Sequence, residues 1–268
     1  MALDLDGTVL NRDLQIHPTT ISALRAALDR GRLATIVTGR MFASARVYAQ
    51  RLGLGDMPLV TYNGGLIRTA ESEKTYFHLP VDLAPAAGVA RLTKELDYSL
   101  NLYVDDKLVV EEVNERVRLY TSIALVEAQA VGDLSAYLAG DEAHRPTKML
   151  VVDDEARIET LRQAVVAAYP SELYTVTSYP YFLEMMNPAV SKSKALGALS
   201  KQLGVDRDEI LAIGDSFNDL DMLEYAGLGV AMGTAPEPVK ARADYVTAGT
   251  DEGGVAAAIE RFVLEGRA

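Results

Sequence analysis

The chain has 268 residues, of which 49% are apolar and 24% charged, so it can bury a full core in one large domain or two smaller ones. Its formal charge of −12 disfavours nucleic-acid partners, which bind basic surfaces, and its lack of cysteine excludes disulfides and thiolate chemistry. No run reaches the roughly 18 apolar residues of a membrane helix, and the first residues carry no secretory signal. We therefore expect a cytoplasmic protein without a membrane partner.

Strand and helix patterns alternate along the first 80 residues. Short strands separated by helices predict βαβ units and a parallel sheet. The first helix begins near two threonines, and either hydroxyl can accept a capping hydrogen bond. The predicted elements are a strand over Ala2–Leu5, a helix from Thr19 or Thr20 to Gly31, a strand over Leu33–Thr38, a helix over Phe42–Leu52 and a strand over Leu59–Tyr62.

The middle of the chain has a different pattern, because hairpins replace the single strands. Its predicted elements are a helix over Asp82–Leu96, a hairpin of Leu100–Val104 with Leu108–Val110, a strand over Met149–Val152 before a further helix, and a hairpin of Glu172–Thr177 with Tyr181–Met186. The α/β pattern then resumes with a helix over Ser191–Leu203, strands over Glu209–Gly214 and Leu228–Ala231, and helices over Asn218–Tyr225, Pro236–Arg242 and Gly254–Leu264. We therefore expect an α/β fold, with a Rossmann-like doubly wound parallel-sheet core over residues 1–79 and 188–268 and an inserted α+β module over residues 80–187.

Two aspartates, Asp4 and Asp6, close the first predicted strand in the sequence LDLDGT. If the strand continues through them, their side chains share one face. They would then lie at the carboxyl edge of the sheet, where open α/β sheets bind ligands. An Asp-Gly pair can form a simple turn, but Asp-x-Asp-Gly-Thr directly after a first strand favours a functional site.

Thr38 and Gly39 end a second predicted strand just before a helix. A hydroxyl, an unhindered backbone N–H and a helix N-terminus suit a phosphate oxygen. A threonine before a helix is also a common helix cap, so both interpretations stay open. Asn63-Gly64-Gly65 lies between two strand-like runs and predicts a hairpin turn with no functional role.

Lys192 falls on the apolar side of its predicted helix, because it precedes Leu196 by four residues and Leu199 and Leu203 continue the stripe. Lys194 falls on roughly the opposite side. A lysine in the first turn opposes the helix dipole at a cost of a few tenths of a kcal/mol. An inward lysine there indicates an anionic partner, and a side chain that bends out to solvent is the alternative.

Asp215 ends another predicted strand, again at the carboxyl edge of the sheet. Asp219 follows Ser216 with the spacing of a capping box, so we assign Asp215 to a metal site and Asp219 to a supporting role. Without a cation, Asp215 would repel Asp4 and Asp6 at this edge. Oxygen ligands without histidine or cysteine favour Mg²⁺, which would also supply the positive charge that a phosphate needs.

The chain resembles the haloacid dehalogenase superfamily, most closely its Cof-type sugar-phosphatase-like hydrolases with a type IIB cap. Four motifs carry the resemblance in order: Asp4-Leu5-Asp6-Gly7-Thr8, Thr38-Gly39-Arg40, Lys192 and Gly214-Asp215-x-x-Asn218-Asp219. Supporting matches are Asn63-Gly64-Gly65, Ala231–Ala235 and Gly254-Val255-Ala256. One departure is Ser193, since glycine usually follows the lysine in this group.

The resemblance implies a Mg²⁺-dependent phosphatase that hydrolyses a small phosphorylated metabolite through an aspartyl-phosphate. Asp4 would be the nucleophile, and Asp6 would protonate the leaving alcohol and then activate water. The ion would bind the carboxylates of Asp4 and Asp215 and the carbonyl of Asp6. The phosphate would be held by Leu5 through its backbone, Thr38, Gly39, Lys192 and Asn218, with Arg40 as a candidate substrate contact.

Two alternatives to a phosphatase stay open. Sugar phosphomutases carry the same motifs, but they would release phosphate only slowly and would transfer it to a second hydroxyl. A catalytically silent phospho-ligand binder is the other alternative. The intact pair Asp4 and Asp6 argues against it, because binding alone would tolerate loss of the acid–base residue.

Overall fold

The computed structural model describes residues 1–124 and 126–266 of the chain. It divides into two compact units, one formed by Met1–Phe77 with Ser191–Ala268 and the other by His78–Val190. Within the described residues, no helix is both long enough and apolar enough to cross a membrane.

The secondary structure alternates between strands and helices along most of the chain. In the described ranges the strands are β1 (Ala2–Leu3), β2 (Thr35–Ile36), β3 (Pro58–Thr61), β4 (Leu66–Thr69), β5 (Thr75–His78), β6 (Leu100–Val104), β7 (Lys107–Val110), β8 (Ala128–Ala130), β9 (Lys148–Val152), β10 (Tyr174–Tyr179), β11 (Phe182–Met186), β12 (Leu211–Gly214), β13 (Leu228–Ala231) and β14 (Tyr245–Val246). The α-helices are α1 (Pro18–Asp29), α2 (Phe42–Arg51), α3 (Leu83–Glu95), α4 (Glu115–Ala124), α5 (Leu134–Gly140), α6 (Glu155–Ala168), α7 (Lys192–Leu203), α8 (Leu220–Tyr225), α9 (Glu237–Lys240) and α10 (Gly254–Ile259).

The first unit contains a five-stranded parallel sheet with the strand order β14-β13-β12-β1-β2. From β1 the chain proceeds to β2 on one side and later returns to β12 on the other side. The winding direction therefore reverses between β1 and β12, and such a switch point leaves a ligand crevice at the carboxyl ends of the strands. Asp4 and Asp215 directly follow these two strands, so the topology brings both to this crevice. The predicted α/β fold is confirmed.

Helix α7 is positioned by its apolar side. Leu196 and Leu199 are buried in a core cluster with Ala2, Ala212 and Met222, and each buried leucine contributes about 1.5–3 kcal/mol. The helix ends at Gly204, whose φ of 67° is the left-handed conformation that glycine adopts readily. This packing fixes which side of the first helical turn faces inward.

The second unit contains a six-stranded sheet with the strand order β10-β11-β9-β6-β7-β8. Its neighbouring strands are antiparallel except for the parallel pair β7 and β8. Residues from α3, α5 and α6 pack on one face of it, for example Val89, Leu138 and Leu161. Both predicted hairpins of this region are confirmed, while α4, α5 and β8 are additional elements.

The start of α1 differs from the prediction that Thr19 or Thr20 caps it. The helix begins at Pro18, and the capping position is His17, whose Nδ1 accepts the N–H of Thr19 at 3.4 Å. Proline suits the first helical position, because the N–H that it lacks would have no helical partner there. The helix therefore starts before either threonine.

Candidate active site

Lys192 is a buried lysine that lies between two carboxylates. Its Nζ donates to Asp4 Oδ1 at 2.7 Å and to Asp219 Oδ1 at 2.6 Å, and the three side chains are at most 7% exposed. Burial opposes the charge of Lys192, but Asp219 and Asp4 outweigh that effect and raise its pKa. The predicted inward orientation of Lys192 is confirmed, and Lys194 is exposed.

The first turn of α7 is held by its own cap and by α8. Ser191 Oγ accepts the N–H of Lys194 at 3.1 Å, as expected of a serine cap. Asp221 Oδ2 accepts from Ser191 Oγ at 2.6 Å and from the N–H of Ser193 at 3.2 Å. Ser193, which departs from the family pattern, therefore donates through its backbone to the same carboxylate as the capping residue Ser191.

Asp219 uses its two carboxylate oxygens for different purposes. Oδ1 accepts from Lys192, whereas Oδ2 accepts the backbone N–H groups of Asp215 at 3.1 Å and Ser216 at 3.0 Å. The capping box predicted from the Ser216–Asp219 spacing is present. Asp219 thus fixes the turn that carries Asp215 and also anchors the buried lysine.

Three carboxylates meet at the carboxyl edge of the core sheet. One oxygen each from Asp4, Asp215 and Asp219 lie within 4.8 Å of one another. Burial, followed by the charge of Asp219, raises the pKa of Asp215 to about 7 and raises that of Asp4 well above its usual value. A set of oxygen donors whose negative charges are so disfavoured fits a hard divalent cation such as Mg²⁺.

The LDLDGT loop is shaped by hydrogen bonds and by one glycine. The carbonyl of Leu5 accepts the N–H groups of Thr8 at 3.3 Å and Leu10 at 2.8 Å, and Thr8 Oγ1 donates to Asp215 Oδ1 at 2.9 Å. Gly7 has a φ of 81°, and a Cβ there would lie 2.3 Å from Asp215 Oδ2. Only glycine therefore allows the loop to approach Asp215 so closely.

Asp4 and Asp6 do not share one environment. Strand β1 ends at Leu3 and does not continue through the two aspartates, so their side chains do not lie on one face of a strand. The Asp6 carboxylate is 43% exposed and accepts from Arg40 through Nε at 2.7 Å and Nη2 at 2.5 Å. The Asp6 carboxylate lies outside the acidic cluster found among the described residues. Burial opposes the charge of Arg40, but the hydrogen bonds and charge of Asp6 outweigh it and raise the pKa of Arg40.

Thr38 does not cap the helix that follows it. The capping position of α2 is Met41, and the Thr38 hydroxyl instead accepts the N–H of Arg40 at 3.2 Å inside the preceding loop. Thr38 is 1% exposed, whereas the neighbouring Gly39 is half-buried. The helix-cap interpretation of Thr38 is therefore wrong.

Asn63 joins two loops of the site, a role that sequence reasoning missed. Its N–H donates to the carbonyl of Thr38 at 3.0 Å, and its Oδ1 accepts from Asn218 Nδ2 at 3.2 Å. A Cβ on Gly39 would approach Asn63 Oδ1 to 3.0 Å. The predicted hairpin is present, since β3 and β4 are antiparallel around it. The Asn63-Gly64 pair was the available signal in the sequence, because Asn-Gly favours a turn with left-handed φ. Asn63 indeed has a φ of 54°.

Comparison with known sequences supports the predicted family. Residues 1–259 match the family model described as haloacid dehalogenase-like hydrolase. The 5-amino-6-(5-phospho-D-ribitylamino)uracil phosphatase YitU of Bacillus subtilis (strain 168) is 29% identical over 277 residues, which cover 99% of this chain and 96% of that protein.

Solved structures share the fold over nearly the whole length of the chain. A haloacid dehalogenase-like hydrolase from Bacteroides thetaiotaomicron superposes with a TM-score of 0.89 at 29% identity, covering 97% of this chain and 98% of that one. A sugar phosphatase of HAD subclass IIB superposes with a TM-score of 0.82 at 26% identity, covering 97% of each chain. The predicted resemblance and the enzyme class, a phosphoric monoester hydrolase, are confirmed. Residues 1–259 match the family model, and the site lies at the carboxyl ends of β1 and β12. The chain therefore belongs to the haloacid dehalogenase-like hydrolase family.

Proposed function

We propose that the chain is a Mg²⁺-dependent phosphatase that hydrolyses a small phosphorylated metabolite through an aspartyl-phosphate on Asp4. The main support is the position of Asp4, which directly follows β1 and accepts from Lys192 at 2.7 Å. The backbone N–H of Asp4 also donates to the carbonyl of Ile213 at 3.0 Å. Hydrogen bonds therefore hold both the backbone and the carboxylate of Asp4. The side chain is oriented in advance, as an attacking nucleophile must be.

We assign the metal site to the carboxylates of Asp4 and Asp215 and the carbonyl of Asp6. Both oxygens of Asp219 already accept hydrogen bonds, which favours a supporting role for that residue. The bound ion would neutralise negative charge on the phosphoryl oxygens. Lys192 adds a further positive charge. Its ammonium has three donors, and Asp4 and Asp219 accept from two of them, which leaves the third for a phosphate oxygen.

The reaction proceeds in two displacements at phosphorus. An Asp4 carboxylate oxygen attacks phosphorus, the bond from phosphorus to the ester oxygen breaks, and Asp6 gives its proton to that oxygen, which leaves as an alcohol. The Asp6 carboxylate then takes a proton from a water molecule whose oxygen attacks the same phosphorus. This second step releases inorganic phosphate and restores the carboxylate of Asp4.

The proposed phosphate contacts come from three loops and from the first turn of α7. The resemblance assigns them to Leu5, Thr38, Gly39, Lys192 and Asn218. The bond between Asn63 and Asn218 supports this assignment, because it connects the loop of Thr38 with the loop of Asp215.

We further propose that residues 80–187 are the type IIB cap that selects the leaving group. A sugar phosphate or a similar phosphomonoester is the proposed substrate class, in line with the sugar phosphatase and the YitU phosphatase among the relatives.

Hydrolysis of 4-nitrophenyl phosphate tests this function. We expect activity with Mg²⁺, loss of activity after chelation with EDTA, and loss of at least about 10³-fold in Asp4→Asn, which removes the nucleophile at nearly constant volume. Asp29→Asn, on the exposed end of α1, is the matched control and should keep full activity. Activity that survives in Asp4→Asn would contradict the mechanism, and slow phosphate release with rapid transfer to a second hydroxyl would indicate a mutase.

A further inference from the structure

We propose that Arg40 is a positioning residue for proton transfer, because its guanidinium fixes the orientation of the Asp6 carboxyl group. The proposal rests on the proposed function, in which Asp6 is the acid and base. In this proposal Arg40 acts on Asp6, the general acid and base. Direct contact between Arg40 and the substrate is the alternative that the experiment tests.

The contact between the two side chains is a two-bond fork. Arg40 Nε donates to Asp6 Oδ2 at 2.7 Å, and Nη2 donates to Oδ1 at 2.5 Å. Such a bidentate pair fixes the plane of the carboxyl group as well as its distance. A carboxylate has about four acceptor positions, so two bonds from the guanidinium leave positions for the proton that is transferred.

Arg40 is itself held from several sides. Its Nη1 donates to Ser44 Oγ at 3.1 Å, and its guanidinium carbon lies 5.2 Å from the centroid of the Tyr48 ring. Ser44 and Tyr48 are four residues apart on α2, so they lie on one side of that helix. The backbone of Arg40 is also fixed, since its N–H donates to Thr38 Oγ1 and its carbonyl accepts the N–H of Tyr62 at 3.0 Å. The arginine therefore loses little further side-chain freedom when it orients Asp6.

The pair explains how two aspartates in LDLDGT can take different tasks. Asp4 accepts from the buried Lys192, whereas Asp6 accepts from Arg40 and is 43% exposed. An aspartate with this exposure and no partner would sample several rotamers. The fork selects one of them, and it should therefore affect the steps in which Asp6 moves a proton.

The dependence on leaving group separates this role from a general structural one. A 4-nitrophenolate leaves without a proton, whereas the oxygen of an alkyl phosphate such as glycerol phosphate needs one. For Arg40→Gln we expect kcat/KM to fall about 10²-fold on the alkyl phosphate and less than about tenfold on 4-nitrophenyl phosphate. We also expect a burst of 4-nitrophenolate, because hydrolysis of the aspartyl-phosphate again requires Asp6 as base.

Two further variants complete the experiment. Arg46→Gln is the matched control, since Arg46 belongs to α2 and pairs with Glu73 in place of a site residue, and it should change neither value. If Arg40→Gln fails to fold, Arg40→Lys tests the same point, because a lysine can hold one oxygen of Asp6 but cannot form the fork. Its losses should be smaller, with the same preference for the alkyl substrate.

Three results would overturn the proposal. They are an equal loss of kcat/KM on both substrates, a rise in KM without a change in kcat, and no loss at all. The first two would assign Arg40 to the phosphate. Failure of the proposed function is a separate result, because it would be seen as activity that survives in Asp4→Asn.

Discussion

Lys192 and Asp4 are 188 positions apart in the chain, and the Nζ of the lysine lies 2.7 Å from Oδ1 of the aspartate. Asp219 provides the second carboxylate for the same ammonium at 2.6 Å. This group of buried charges joins the first strand, α7 and the loop after β12. It therefore couples the stability of the first unit to the geometry of the site.

Removal of the lysine should destabilise the protein. Lys192→Met keeps the length of the side chain but leaves Asp4 and Asp219 buried without a cation, so we expect the free energy of unfolding to fall by about 3–5 kcal/mol. Urea denaturation at neutral pH measures this change. Lys194→Met, on the exposed side of α7, should stay within about 0.5 kcal/mol of the wild type. Equal effects of the two variants would show that the buried group is not important for stability.

The close approach of Gly7 to Asp215 gives a second prediction. Gly7→Ala and Gly53→Ala both place a Cβ on a residue with positive φ, 81° and 70° respectively, so both should lose about 1–2 kcal/mol of stability. Only at Gly7 would the Cβ meet a carboxylate, 2.3 Å from Asp215 Oδ2, whereas nothing lies within 4 Å at Gly53.

We therefore expect Mg²⁺ affinity to fall at least about tenfold in Gly7→Ala and to stay unchanged in Gly53→Ala, because displacement of Asp215 misplaces a proposed ligand. Calorimetric titration with Mg²⁺ measures both. Unchanged affinity in the Gly7 variant would remove Asp215 from the metal site.

The acidic cluster predicts how stability depends on pH. Burial and Asp219 raise the pKa of Asp215 from 3.8 to about 7 in the folded protein, so the folded state binds more protons than the unfolded state between these values. In the metal-free protein this contribution to stability is complete below about pH 4 and is lost as the pH rises through about 7. Asp4, whose pKa is raised by burial and Asp219, acts in the same direction.

A bound cation competes with these protons, so the rise in Tm on addition of Mg²⁺ should be larger at pH 8 than at pH 5. Thermal unfolding with Mg²⁺ or with EDTA measures the difference. Asp215→Asn is the matched control and should reduce it. An equal rise at both pH values would argue against a metal site on these carboxylates.

The bridge made by Asn63 gives a prediction about substrate affinity. Asn63→Asp retains an acceptor for Asn218 Nδ2 and a side chain that tolerates the left-handed φ of 54°. It adds negative charge close to the proposed phosphate contacts, so we expect KM for a phosphomonoester to rise about tenfold with little change in Tm. An unchanged KM would exclude Asn63 from the neighbourhood of the phosphate.

Local patterns explain which parts of the site could be predicted from the sequence. The inward orientation of Lys192 follows from its four-residue spacing to Leu196, and the strand before Asp215 follows from its apolar run. Helix α1 was less predictable, because Pro18 starts it ahead of two threonines that would also serve as caps. The strand β14 has two residues, too few for any periodicity to be visible.

Contacts between distant segments could not be read in this way. The fork between Asp6 and Arg40 depends on how two loops turn after their strands, and the two residues are 34 positions apart. Asn63 was predicted as a simple turn residue, because its bond to Asn218 spans 155 positions. Periodicity describes one element at a time, so it identified the candidates but not their pairing.

The central claim, that Asp4 carries the phosphoryl group, is tested most directly by chemical trapping. Reduction of an aspartyl-phosphate with borohydride converts that residue to homoserine, which peptide mass spectrometry locates. The Asp6→Asn variant, incubated with 4-nitrophenyl phosphate and Mg²⁺, should accumulate the intermediate, because it lacks the base for hydrolysis. We expect homoserine at position 4, and none when Asp4→Asn is added to the variant. Homoserine at another position, or turnover by wild-type enzyme with no trapped residue in the variant, would contradict the account.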